Sequence, residues 1–238
     1  MTSIAENIQN IRLQITSFEQ KYERVNDSVK LLAVSKTHSA EKIRLAWQAG
    51  QSTFAENYVQ EALQKVSALH DLPLQWHFIG PVQSNKTRDI ALHFHWLHSL
   101  DRLRIARRLN EQRPKSLGPL KCLIQVNLDN EASKSGVTPD LVPDLAAAVD
   151  EMSNLELAGL MAIPAPRADF DTQRRTFYRL AELQASLFNT GLKSCTELSM
   201  GMSNDFEAAI AEGSTMVRIG SGIFGPRNYK EHSSEAPQ

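Results

Sequence analysis

The first apolar positions of the chain, Ile4, Ile8, Ile11, Ile15, Phe18 and Tyr22, are spaced alternately four and three residues apart. Glu, Asn, Gln and Arg fill the places between them. This is the stripe of a one-faced helix, which must dock on another element, such as the outer ring or open end of a barrel. A coiled coil would use the same stripe, but three repeats without regular charge pairing give it little support. After this segment the period alternates. Apolar strand-like runs fall at 31–36, 53–56, 74–79, 95–99, 121–127, 156–162, 196–200 and 215–219. Helical stretches lie between them near 40–49, 58–69, 83–92, 101–112, 140–152, 170–189 and 204–212.

Strands and helices in strict alternation imply a parallel sheet covered by helices. Eight strands, most separated by a single helix, favour closure as a (β/α)8 TIM barrel over an open sheet. Residues 1–238 are read as a single domain, with an extra N-terminal helix over about 3–24 and the barrel over about 30–230. Gly50, Gly191 and Gly213 punctuate helix ends, and Asn204 with Glu207 reads as a capping box. Glu231 to Gln238 form a polar tail expected to fray.

Composition narrows the function classes. The 238 residues are 42% apolar and 22% charged, with a formal net charge of −1. No global field draws such a chain to nucleic acid or to an acidic membrane. The one basic cluster, Arg102, Arg104, Arg107, Arg108 and Arg113, sits on a predicted helix with Asp101 and Glu111 and reads as a solvated face. Cys122 and Cys195 lie inside apolar runs without metal-ligand spacing, as small core residues of a reducing compartment. No secretory signal pattern and no apolar run of membrane-spanning length is present, so a soluble, cytoplasmic protein is expected.

The candidate chemistry begins at Lys36, which ends the run Leu31-Leu32-Ala33-Val34-Ser35-Lys36. A lysine at the carboxyl end of a buried strand sits where β/α folds place reactive groups. Desolvation there frees the amine to attack a carbonyl, although a salt-bridge lysine is the commoner case. At the other end of the chain, Glu197 to Ser203 and Met216 to Gly225 each run from a strand into a turn of small residues. Such turns present concave sets of backbone N–H groups that suit a phosphate, and late barrel units are where phosphate sites are built. Each turn alone is explained by tight backbone geometry; the pair, with Ser199, Ser203 and Ser221, favours phosphate binding.

Other candidates carry less. His77, near the end of the third predicted strand, fits the barrel mouth and a satisfied core position equally well. His93, His95 and His98 lack metal-ligand spacing, and no metal is expected. Asn57, after the second strand, is either a ligand donor or a helix cap. Lys134, in a Ser- and Gly-flanked loop after the fifth strand, is a rim amine or an ordinary surface charge.

Together these motifs resemble the pyridoxal phosphate homeostasis protein family, whose members are similar to the N-terminal domain of alanine racemase. The resemblance runs from about Leu31 to Tyr229. It rests on Ala33 to Lys36, Phe54 to Glu61, Trp76 to Lys86, Leu198 to Ser203 and Val217 to Gly225. It implies a pyridoxal 5′-phosphate (PLP) cofactor held as a Schiff base on Lys36, with Arg218 facing the pyridine nitrogen. It implies that Ser199, Gly201, Arg218 and Gly220 surround the phosphate and that Asn57 lies near the ring. His77, Met200 and Ser221 complete the candidate cofactor-binding set.

The resemblance further implies a role in PLP homeostasis, buffering and delivering vitamin B6 without substantial catalysis, as a monomer that passes PLP to apo PLP-dependent enzymes. Arginine cannot protonate a pyridine nitrogen, and an unprotonated ring is a poor electron sink. A low-activity amino-acid racemase is the alternative, and a phosphosugar barrel without PLP uses the same phosphate turns. Lys134 and Lys230 are candidate secondary amines for transfer by transaldimination, against the plain reading of protonated surface lysines.

Overall fold

The computed structural model describes residues 3–130 and 135–226. Eight strands are present among them: β1 (Lys30–Val34), β2 (Thr53–Glu56), β3 (Gln75–Phe78), β4 (Trp96–Leu100), β5 (Leu120–Gln125), β6 (Leu155–Met161), β7 (Glu197–Ser199) and β8 (Met216–Ile219). The helices are α1 (Ile4–Lys21), α2 (Ala40–Gln48), α3 (Val59–Ala68), α4 (Thr87–His93), α5 (Leu103–Gln112), α6 (Val142–Asp150), α7 (Phe170–Asn189), α8 (Phe206–Ala211) and α9 (Ser221–Phe224). The strands form a closed barrel in chain order, with all pairings parallel. Closure comes from β1 on β8, where Leu32 pairs with Arg218 and Ala33 with Ile219.

Strand residues alternate between two cores. Leu31, Ala33, Phe54, Trp76, Phe78, Leu97, Cys122 and Ile124 join the outer layer packed against the helices. Leu32, Val34, Ala55 and Ile79 form one cluster inside the barrel, and Trp96, Leu123, Ala158, Met161 and Met216 form another. Burial on both faces explains why the strands read as nearly continuous apolar runs. Inside β6, Gly159 faces β7 so closely that a Cβ there would lie 1.8 Å from the Glu197 carbonyl oxygen.

The N-terminal helix docks as its stripe requires. Ile8, Ile11 and Ile15 are buried against the barrel, and Phe18 meets Phe206 of α8 edge-on at 5.4 Å. Asn7 donates to the Ile223 carbonyl of α9, and Lys21 bridges to Glu207. A true capping box stands at its start: Ser3 accepts from the Glu6 amide and Glu6 accepts from the Ser3 amide.

Two expectations are corrected. Asn204 and Glu207 form no capping box: α8 is preceded by Asp205, which accepts from the Met202 amide, while Glu207 turns to Lys21 and Tyr22 of α1. Tertiary ion pairing outcompetes the local cap. Arg113 does not share the solvated face of α5: it is 7% exposed, folded inward, and donates to four carbonyls. Both cysteines are buried and unpaired, and burial pushes the Cys195 thiol up to about 12. Among the described residues no helix is long and apolar enough to cross a membrane.

Gly159 supplies a direct test of barrel packing. Gly159→Ala should force β6 from β7 and destabilise the fold by about 3 kcal/mol, read as a lower urea midpoint at unchanged slope. An unchanged midpoint would show that the two strands can separate at no cost.

Candidate functional site

The carboxyl ends of the strands converge on one face, where parallel barrels assemble their sites. Lys36 lies two residues past β1, half-buried, at the point where the chain leaves the sheet. Its neighbours on both sides are fixed. Ser35 donates its hydroxyl to Glu56 Oε1 at 2.6 Å, and its carbonyl accepts from Lys65 Nζ at 2.7 Å. The Thr37 amide donates to Glu61 Oε1 at 2.5 Å, with Thr37 held at φ +66°. Lys65 links the two carboxylates, 2.7 Å from Glu56 and 2.6 Å from Glu61. Glu56 is the outward residue at the end of β2, and Glu61 and Lys65 share one face of α3 at i, i+4 spacing. The polypeptide on either side of Lys36 is thus clamped from the helix layer.

The two late turns lie beside it. β8 is the neighbour of β1, and a Cβ on Gly220 would come within 3.2 Å of the Val34 carbonyl. Gly201, at φ +94°, ends the preceding unit, and its carbonyl accepts from the Arg218 amide. The amides of Gly201, Gly220, Ser221 and Gly222 find no acceptor among the described residues. Those of Ser221 and Gly222 belong to the first turn of α9, whose donors point off the helix start. A convergent set of unspent N–H groups is what an oxyanion requires.

Arg218 sits beneath these turns, 3% exposed. It donates through Nη1 to the Ser199 carbonyl (2.6 Å) and hydroxyl (2.8 Å), and through Nη2 to the Ala162 carbonyl (2.9 Å). Of its five N–H groups, Nε–H and one on Nη2 have no acceptor among the described residues. Burial lowers its pKa to about 10, so it remains a cation at neutral pH. Ser199 also meets His98 Nδ1 at 2.9 Å, and His98 Nε2 meets His77 Nδ1 at 2.9 Å.

The sequence-derived candidates therefore separate. Lys36, Ser199, Gly201, Arg218, Gly220 and Ser221 are brought to the strand-end face. Asn57 stands at the end of β2, half-buried, its carbonyl so close to Gly80 that any Cβ at Gly80 would collide with it. Met200 sends its side chain into the helix-facing core, its amide to the Met216 carbonyl, and its carbonyl accepts from the Ser214 hydroxyl, so it offers the strand-end face no unspent polar group. His77 lies inside the barrel, reaching Ser199 only through His98. Lys134 and Lys230 lie outside the described residues. Gln125 and Asn127, buried polar residues at the end of β5, also face this end of the barrel; their apolar surroundings in sequence hid them.

The alanine racemase N-terminal domain family matches residues 5–228. A pyridoxal phosphate homeostasis protein of Pseudomonas aeruginosa is 56% identical over 229 residues, covering 96% of this chain and 98% of that protein. Its counterpart in Escherichia coli K12 is 49% identical over 97% of this chain and all of that one. This chain belongs to the pyridoxal phosphate homeostasis protein family. A solved structure of PipY from Synechococcus elongatus with PLP bound is 35% identical, with a TM-score of 0.82, over 94% of this chain and all of that one.

Within this family member the clamp around Lys36 carries an electrostatic cost. Glu56 is fully buried, its Oε2 has no partner among the described residues, and burial raises its pKa from 4.5 to about 7 against the opposing pull of Lys65. The folded value lies above the unfolded one, so proton uptake by Glu56 favours the fold fully below pH 4.5, and that contribution is lost as pH rises through 7. The stability of the wild type relative to Glu56→Gln should therefore fall by roughly 3 kcal/mol between these limits, read from urea unfolding at stepped pH. A difference that stays flat across that range would place the charge elsewhere in the clamp.

Proposed function

We propose that this protein holds pyridoxal 5′-phosphate as a Schiff base on Lys36 and buffers and delivers it within the cell, without substantial catalysis of its own. The observation that carries this reading is the juxtaposition across the β1–β8 seam. A clamped, half-buried lysine stands on one strand, and a set of unspent amides follows the next. A ligand with an aldehyde at one end and a phosphate at the other spans such a seam. When bound, it supplies an electrophilic carbonyl carbon for the lysine amine.

Arg218 weighs against chemistry such as transamination and decarboxylation, and does not by itself separate the carrier from the racemase alternative. Its unspent N–H groups donate, and its charge persists at neutral pH, so an adjacent ring nitrogen is held as an acceptor and stays unprotonated. Carbanion chemistry loses its electron sink under that arrangement. Ser199, oriented by Arg218, is placed to add a hydroxyl to the amides of Gly201, Gly220 and Ser221 around the phosphate. The PLP-bound relative and the names of the full-length relatives support PLP binding and a homeostatic role.

Borohydride reduction of the PLP-loaded protein, followed by peptide mapping, should place the pyridoxyl group on Lys36, and Lys36→Ala should lose the visible absorbance band. Labelling of another lysine alone would overturn the assignment. Solvent-deuterium incorporation at Cα of a panel of amino acids distinguishes the racemase alternative. Turnover above about 1 s⁻¹ would make the protein an enzyme.

A further inference from the structure

The barrel has a cavity of mixed polar and apolar lining at its opposite, amino-terminal end. It measures about 420 Å³, within the range of small-ligand sites, and its walls include Gln75, His77, His95, Arg113, Leu32 and Met216. We infer that this mouth is a second binding site, for a small organic monoanion with one carboxylate and an apolar body.

Charge points to the anion. Lys30 and Lys121 at the rim are each matched by a carboxylate, Glu197 at 2.8 Å and Glu156 at 3.7 Å. Arg113 is not: among the described residues no carboxylate lies within 4.0 Å of its buried guanidinium. It donates to the carbonyls of Gly118, Ala91, Phe94 and Leu117, which uses four of its five N–H groups and leaves one on Nη2. A buried cation satisfied only by carbonyl dipoles favours a counter-ion. His95 adds a donor. Its Nδ1 accepts from the Trp76 amide at 3.0 Å, and burial lowers its pKa, so the neutral ring carries its proton on Nε2. Leu32 and Met216, with Leu117 and Pro119, give the apolar wall that distinguishes an organic acid from a bare oxyanion.

The floor of the cavity supplies the independent observation. His77 is 3% exposed, stacked on Trp96 at 5.4 Å and 5°, and its Nδ1 is spent on His98. Its Nε2 is buried without a partner among the described residues, an atom that native structures rarely leave unsatisfied. Both rings are neutral, because burial and the charges of neighbouring groups depress their pKa values. The chain Ser199–His98–His77 then has two self-consistent proton orders. In one, the Ser199 hydroxyl donates to His98, His98 donates to His77, and His77 Nε2–H points away from the chain. In the other, every bond is reversed and His77 Nε2 carries a lone pair. An anion at the amino-terminal mouth selects the first order, so its binding moves the proton on His98 and the hydroxyl of Ser199 together. No covalent step is involved.

The test is nuclear magnetic resonance of the full chain, with histidine ring nitrogens labelled, titrated with benzoate in the absence and presence of PLP. Benzoate should bind with Kd of about 1 mM. It should fix His77 as the Nε2–H tautomer and shift His98 in step, and His77→Phe, which keeps the aromatic stack, should weaken binding at least tenfold. Inorganic phosphate should shift the same resonances much less. The inference fails if His77, His95 and His98 stay unmoved at about twenty times that concentration. It also fails if the shifts cluster at Ser199 and Gly220 and vanish with PLP, which would place benzoate at the strand-end site. Equal affinity for phosphate would overturn the organic-acid class.

Discussion

The pairing of β1 with β8 is the constraint on which the rest of the molecule depends. Lys36 and the late turns are separated by more than 160 residues in sequence, and only closure makes them neighbours. The barrel also depends on close approaches at three glycines, prohibitive to a side chain at Gly159 and Gly80 and tight at Gly220. Gly159 lets β6 reach β7, Gly80 lets the end of β3 reach Asn57, and Gly220 lets the last turn lie on Val34. The barrel is a set of packed layers with little slack, so the positions of its strand-end groups are fixed by the same contacts that fix its stability.

Buried charge is handled differently on the two sides of the sheet. On the helix side, Glu56, Glu61 and Lys65 form a compact cluster whose bonds end on the Ser35 hydroxyl and carbonyl and the Thr37 amide, on either side of Lys36. Inside the barrel, Arg218 has no carboxylate in contact among the described residues; it is held by carbonyls and by Ser199. The first arrangement fixes the chain on either side of Lys36, and the second supplies a fixed positive charge. Removing one partner of either would strand a buried polar group, which is the costly kind of change.

The fold was legible from periodicity because parallel barrel strands are buried on both faces and their helices carry one apolar stripe. All eight strand regions of the observed barrel coincide with runs visible in the sequence, with ends shifted by a residue or two. Lys36, Ser199 and Gly220 could be assigned to the strand-end face because strand ends and glycine turns leave local signatures, whereas Arg218 entered only through the family resemblance. What failed to show was tertiary. Arg113 looked like one more member of a solvated arginine face until α5 ended and turned it inward. Glu207 looked like a cap until α1 offered it Lys21 and Tyr22. The histidine chain from His77 to Ser199 joins three strands and has no sequence spacing at all. His77 could be read as a mouth residue or a core residue, and the barrel gives it a third place, beneath the site and beside the opposite cavity.

The account turns on the claim that a cation, rather than an acid, stands at the ring nitrogen of the bound cofactor. The most direct measurement is the nitrogen-15 shift of ring-labelled PLP bound to the protein, followed between about pH 6 and pH 9. With Arg218 as its partner the nitrogen should remain unprotonated throughout, and the shift should not titrate. A pyridinium signal at neutral pH would contradict the arrangement and return the site to the class of carbanion-forming enzymes.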